Sequence, residues 1–341
     1  MGNILPVKME LTNTDNSCII VDMNSLFEGL EPKRRTVNDN LESLTIDDIV
    51  NHKKLSDEKL REDLAVLNRF PGTENANNFA GNPFQYHFQL GNLLHCTRER
   101  SGKPRETLYE IWADPDMRAK MIADTRKRNR GGSAANNVFE AYRINSGSIV
   151  LFKATTAKYL YRKYGATKVL DPTAGWGGRM LGAWSAGVDY TGIDTNVDMQ
   201  PAYDGMINFL NNEIDRNSHL LDQPKPNLNL IWQSCLDVDF SKIDYDFVLT
   251  SPPYINLEIY QNMPLWENDK AFYEGFYVPL YHKLRANIKP GGKICLNVSP
   301  KMHEDALKYG LPPCDAEEDL LQQMGQAKGK KKQDKIYIWH C

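Results

Sequence analysis

The sequence predicts an α/β fold: a mostly parallel sheet with helices on both faces, set behind a mainly helical N-terminal extension. Three observations predict it. From about residue 145, short apolar runs alternate with segments of helical period. A glycine-rich turn follows the first of these runs and opens a helix. Before residue 145 the pattern is one of helix caps and helical spacing, with little sign of strands.

Residues 1–44 are polar and weakly patterned and read as an extension, flexible or irregular. The region 45–144 opens on Thr45-Ile46-Asp47-Asp48, a capping box that predicts a short helix. Ser56 is placed to cap a second helix, in which Leu60, Leu64 and Leu67 share a face before Pro71-Gly72 closes it. Residues 73–104 are rich in Asn, Gly and aromatics without a clear period, and predict loops with short strands. Residues 105–130 read as helical, with Asp114 and Pro115 as an N-cap and N1 pair and Gly131-Gly132 as the stop. The third region, 145–341, starts with an apolar-faced helix from Ser148, with Gly165 past its end. The strands expected after it are Lys168–Asp171, Tyr190–Asp194, Leu228–Gln233, Asp246–Thr250, Lys293–Val298 and Lys335–His340.

Composition narrows the class. Hydrophobic residues make up 41% and charged residues 25%, ordinary values for a soluble globular chain. No run approaches the roughly 18 apolar residues of a membrane span, and the N-terminus lacks a secretion pattern, so a cytoplasmic protein is expected. Pro6 stands where a myristoylation signal has Ser or Thr. The six cysteines form no CxxC pair and no zinc-ligand spacing, so no metal is expected. The net charge of -3 gives no overall attraction to nucleic acid, though one basic face suffices for that.

Two motifs carry chemistry. The first is Val169-Leu170-Asp171-Pro172-Thr173-Ala174-Gly175-Trp176-Gly177-Gly178. Its glycines permit positive φ and close backbone approach to a ligand. Asp171 at the strand end would repel a pyrophosphate but suits a ligand bearing an ammonium and a sulfonium. Asp194 ends the next strand, near the roughly 20-residue spacing at which a second acid meets ribose hydroxyls. An ordinary glycine-rich turn is the competing reading. The second motif is Asp246-Phe247-Val248-Leu249-Thr250-Ser251-Pro252-Pro253-Tyr254. Two prolines directly after a strand make a stiff loop. Ser251 and the Pro252 carbonyl can hold an amino group there, and Tyr254 can stack on a base. The competing reading is a rigid turn with Tyr254 as packing.

Together these motifs resemble those of the S-adenosylmethionine-dependent DNA amino-methyltransferases, the N6-adenine and N4-cytosine enzymes. The resemblance covers roughly Asn145 to Cys341. It implies a Rossmann-like class I methyltransferase sheet with an antiparallel last strand, and S-adenosyl-L-methionine as cofactor. It assigns the cofactor to Phe152, Lys153, Asp171, Pro172, Thr173, Gly175, Gly177, Asp194 and Asp237, and the target amine to Ser251, Pro252, Pro253 and Tyr254. It implies direct displacement on a base flipped out of double-stranded DNA, without a covalent cysteine. Ser at the head of Ser251-Pro252-Pro253-Tyr254 is typical of N4-cytosine enzymes, whereas the motif order is more usual among N6-adenine enzymes; the target base stays open between them.

Two basic runs are candidates for phosphate contact. One holds Arg118, Lys120, Arg126, Lys127, Arg128 and Arg130; the other holds Lys328, Lys330, Lys331 and Lys332. A solvated helix face and a solubilising turn are the competing readings. Region 45–144 is the candidate for nucleic-acid recognition. RNA or tRNA is the alternative partner, and an inactive fold serving as a binding module the alternative role.

Overall fold

The computed structural model describes residues 10–12, 18–20, 40–74, 78–100, 103–128, 131–147, 149–217, 225–255, 258–259, 263, 265–320 and 334–341. Arg130 and Lys328, Lys330, Lys331 and Lys332 lie outside the described residues. Seven strands form one sheet: β1 (Lys168–Asp171), β2 (Asp189–Asp194), β3 (Leu228–Trp232), β4 (Phe247–Thr250), β5 (Lys293–Val298), β6 (Ala316–Asp319) and β7 (Lys335–His340). Their order is β6-β7-β5-β4-β1-β2-β3. Strands β3, β2, β1, β4 and β5 pair in parallel, and β7 runs antiparallel between β5 and β6. The chain steps outward from β1 through β2 to β3, then returns to the other side of β1 as β4. That reversal opens a crevice at the C-terminal ends of β1 and β4, where open α/β sheets bind ligands. The sheet is Rossmann-like, with the antiparallel last strand that the sequence implies.

The six expected strands are present with ends shifted by at most one residue. Within the seven-stranded sheet, the edge strand β6 is the one that sequence reading misses. Its residues, Ala316-Glu317-Glu318-Asp319, are mostly exposed and carry no apolar alternation.

Before the sheet come α1 (Ile46–Asn51), α2 (Asp57–Arg69), α3 (Asn82–Leu93), α4 (Leu108–Ala113), α5 (Pro115–Arg128) and α6 (Ala134–Ser146). Thr45 and Asp48 make the expected capping box, and Ser56 caps α2. Asp114 caps α5, its Oδ1 accepting from the Asp116 and Met117 amides at 2.9 Å each. Helix α3 replaces the loops expected over 73–104. Its buried face mixes Phe84, Leu90 and Leu93 with Gln85 and Gln89, so the apolar period is broken by two glutamines that are themselves inside. A short ladder follows, in which Thr97–Arg100 pairs with Lys103–Pro104 and also with Glu258–Ile259, just past the Ser-Pro-Pro-Tyr segment.

The sheet is covered by α7 (Ala154–Tyr164), α8 (Gly178–Ala186) and α9 (Gln200–Asn217) on one face, and by α10 (Asp269–Phe272), α11 (Val278–Asn287) and α12 (Pro300–Lys308) on the other. Strand residues alternate between the two faces as the pleat requires. Val169, Phe247, Leu249 and Cys295 join the first core, and Leu170, Val248, Ile294 and Leu296 the second. Helix α7 begins at Ala154 and not at Ser148. Lys153 holds an extended N-cap conformation, and the segment before it buries Ile149, Leu151 and Phe152 as a loop. The first core runs without a break from Leu41 through the N-terminal helices to the sheet. The division drawn at 144/145 cuts through α6. Among the described residues, no helix is long and apolar enough to cross a membrane.

Candidate active site

At the crevice, β1 ends on Asp171 and the glycine-rich turn runs into α8. Asp171 is 0% exposed. Its Oδ2 accepts from Arg179 Nε at 2.6 Å and from the Tyr190 hydroxyl at 2.7 Å. Its Oδ1 accepts from the Thr250 hydroxyl at 2.8 Å and the Thr173 amide at 3.4 Å. Arg179 also donates to the Thr173 carbonyl and lies 5.2 Å over the Phe152 ring. The expectation that Asp171 faces the positive groups of a ligand is therefore corrected. Its charge is balanced by a buried guanidinium, and the pair holds the turn from behind.

The glycines divide in the same way. Gly175 adopts φ +59°, and a Cβ there would meet nothing closer than 3.7 Å, so the turn leaves open space at that position. Gly177, expected at the cofactor, is buried; a Cβ on it would stand 2.6 Å from Met206 Cε. Gly178, which the motif carries without an assigned role, is the tightest position: a Cβ would come within 1.9 Å of the Phe152 carbonyl oxygen. Phe152 thus acts through its backbone, as the wall against which α8 starts. Lys153 is buried with its ammonium 4.2 Å over the Phe79 ring, and burial draws its pKa down to about 8. Pro172 is buried, leaving Thr173 and Gly175 as the half-exposed members of the turn.

Asp194 ends β2. Its Oδ2 accepts from the Gly175 amide at 2.9 Å and its Oδ1 from the Asn196 amide at 3.0 Å. Burial raises its pKa, against the two amides that lower it. Each oxygen keeps a lone pair, and the side chain is half-buried, so it can accept hydroxyls from one side. Tyr203 fixes the same turn from below, donating to the Gly175 carbonyl at 2.9 Å. After β3, Asp237 sits exposed in a turn whose carbonyls at Cys235 and Leu236 accept from Lys283.

The second motif lies alongside. The Thr173 hydroxyl is 2.6 Å from Thr250 Oγ1 and donates to the Ser251 carbonyl at 2.9 Å, joining the two motifs directly. Pro252 is buried, while Ser251, Pro253 and Tyr254 are half-exposed. The Tyr254 hydroxyl donates to Asp334 Oδ2 at 2.8 Å, just before β7. Asn297 on β5 donates from Nδ2 to Ser251 Oγ at 2.6 Å. Of the later aromatics, Phe272, Tyr273 and Tyr277 are core and Trp266 and Phe276 pack against it; Tyr260 lies outside the described residues.

Sequence reasoning missed Arg179, Tyr190, Thr250 and Asn297. Two had a signal: Arg179 is the one charge in the apolar helix α8, and Asn297 interrupts an apolar strand near its C-terminal end. The basic run on α5 is partly engaged elsewhere. Arg126 pairs with Glu42 at 2.5 Å, Arg128 with Asp124 at 3.0 Å, and Arg118 donates to the Leu44 carbonyl at 3.2 Å. Lys120 and Lys127 are exposed.

No protein-family model matches the chain, and no curated protein sequence matches it. Among solved structures it is similar to TehB from Haemophilus influenzae at 13% identity and TM-score 0.32, over 59% of this chain and 66% of that one. It is similar to an RNA methyltransferase from Salinibacter ruber, in complex with S-adenosyl-L-homocysteine, at 14% identity and TM-score 0.33, over 56% of this chain and 93% of that one. An rRNA methylase from Streptococcus thermophilus matches at 10% identity and TM-score 0.34, over 56% and 97%. Likeness at this level carries no argument about the chemistry of this chain.

Proposed function

We propose that this chain is an S-adenosylmethionine-dependent methyltransferase acting on the exocyclic amine of adenine or cytosine in DNA. The observation that carries the reading is the Thr173 hydroxyl bridging to the Ser251 carbonyl. It sets the glycine-rich turn and the Ser-Pro-Pro-Tyr loop side by side at the strand ends, where a cofactor and an acceptor must meet.

The residues fit the cofactor at three points. Gly175 leaves space for it, half-buried Asp194 has acceptor capacity left for ribose hydroxyls, and exposed Asp237 can take the adenine amino group. Asp171 does not touch it. Bound S-adenosylmethionine supplies an electrophilic methyl group on a sulfonium. Ser251 and the Pro252 carbonyl hold the edge that carries the target amine, and the prolines keep that edge fixed. Tyr254, tethered through its hydroxyl to Asp334, offers a ring of set orientation for a base to stack on. A base within a duplex reaches such a loop only by flipping out. Direct displacement asks for positioning more than for a strong base. Burial pushes the Cys235 thiol up to about 12, so it stays protonated at neutral pH and serves no covalent route.

The test is methyl transfer from labelled S-adenosylmethionine to DNA and, separately, to RNA, with digestion to nucleosides and mass spectrometry. N6-methyladenine or N4-methylcytosine in DNA is the expected product. Label in RNA alone would move the substrate class. Label in neither, with cofactor bound in calorimetry, would overturn the catalytic reading in favour of a binding module.

A further inference from the structure

Asn297 is the only polar residue between Ile294 and Val298 of β5, and it is 5% exposed. The parallel register sets Leu296 against Thr250, so the next residue on each strand brings Asn297 beside Ser251. Nδ2 donates to Ser251 Oγ at 2.6 Å, while Oδ1 is buried without a hydrogen-bond partner. A core strand carrying an orphaned acceptor loses stability by it. A hydrophobic side chain would avoid that cost, and what the amide supplies in its place is an N–H directed at Ser251.

That effect follows from the hydroxyl's inventory of one hydrogen and two lone pairs. With an N–H pointed at Oγ, the serine hydrogen cannot lie along the same line and must turn away from β5. The Thr173 hydroxyl does not compete for this position, because it donates to the carbonyl of Ser251 and not to its side chain. We infer that Asn297 is a positioning residue that presents Ser251 to the substrate as a hydrogen-bond donor. The two contacts are both made only where an unprotonated ring nitrogen stands beside the amine. The Pro252 carbonyl accepts from the amine and Ser251 donates to the ring nitrogen. The pairing edges of adenine (N6 with N1) and cytosine (N4 with N3) meet this requirement. The pairing edge of guanine, where a ring N–H adjoins the amine, does not. This inference rests on the amino-methyltransferase reading above and specifies the edge that its acceptor loop reads.

The experiment compares wild-type protein, Asn297→Asp and Asn297→Ala on two oligonucleotides. One carries the methylated site found by mass spectrometry, and the other has 1-deazaadenine or 3-deazacytosine at the target. Asp is close to isosteric but accepts the serine hydrogen and so reverses the bond; Ala removes it. The measured quantity is the ratio of kcat/KM for normal over deaza substrate, compared between proteins, which cancels the analogue's own change in amine reactivity. Wild type should show a ratio about tenfold above that of both variants, the scale of one directed hydrogen bond. Calorimetric affinity for S-adenosylmethionine should be unchanged in all three, which separates positioning from misfolding. If Asn297→Ala does not bind cofactor, Asn297→Asp and Ser251→Ala carry the comparison. Equal ratios in wild type and a cofactor-binding variant would overturn the inference and leave the proposed function standing. A wild type that binds cofactor but methylates neither DNA nor RNA would overturn both.

Discussion

Arg179, Tyr190 and Thr250 surround the buried Asp171 carboxylate, with the guanidinium 2.6 Å away. Arg179→Met should therefore destabilise the fold by about 3–5 kcal/mol, since it strands a buried carboxylate. The double variant Asp171→Asn/Arg179→Met should recover much of that loss in urea unfolding and still bind S-adenosylmethionine. A folded double variant without affinity would return Asp171 to the cofactor. Here the sequence was legible in position and misleading in role: the spacing located the acid, but nothing in the sequence shows which side of the turn its carboxylate faces. Gly178→Ala should abolish cofactor binding or folding outright, because its Cβ would collide with a carbonyl oxygen. His303 is a second case at this scale. It is buried against Tyr337 at 3.7 Å, and its Nδ1 lacks a partner. Burial lowers its pKa below 6.5, outweighing the nearby Glu317 and Glu304 that raise it. Below pH 6.5 the unfolded chain takes this proton while the native chain does not, so stability should fall as pH drops from about 6.5. His303→Phe should flatten that slope in melts at successive pH values; an unchanged slope would remove His303 from the account.

Helix α2 shows how an element is held. Ser56 caps its start, and the side chain of Lys158 on α7 closes its end, donating to the Leu67 and Asn68 carbonyls at 2.9 Å each. The start was readable, because a capping residue lies next to the helix it caps. The end was not, because Lys158 is 90 residues away in sequence. Ser56→Ala should cost about 1 kcal/mol. Lys158→Met keeps the volume but takes the ammonium from both carbonyls, of which the buried one of Leu67 keeps only a 3.4 Å contact from Ser185 Oγ, at about 1–3 kcal/mol in all. Chemical denaturation of both variants checks the order; a Lys158→Met chain as stable as wild type would mean that water replaces the ammonium. The same contrast between local and distant information explains α3 and β6. The glutamines of α3 lie buried in contacts made by tertiary packing, and β6 exists through its pairing with β7.

At the scale of the whole molecule, composition suggested an appendage and a catalytic region, whereas the first of the two cores spans both. Leu41 is fully buried, and the Leu44 carbonyl accepts from Trp112 Nε1 at 3.1 Å and from Arg118. Arg61 of α2 pairs with Glu213 of α9 at 2.8 Å. These contacts were illegible because periodicity reports which face of a helix is apolar and not what covers it. They make a prediction about where the chain can be cut. A chain of residues 145–341 loses the helices that cover α8 and α9 and should not melt cooperatively. A chain of 45–341 keeps those helices but loses Leu41, and should be less stable than a chain of 40–341 by about 2–5 kcal/mol, the usual cost of removing a buried leucine. Calorimetric melts of the three chains, with dye binding as a measure of exposed apolar surface, decide the matter. A cooperative transition in 145–341 would mean that the sheet and its own helices fold alone and that the N-terminal helices dock afterwards. Equal stability of 40–341 and 45–341 would mean that the core closes over the space left by Leu41, placing the N-terminal edge of the core at α1.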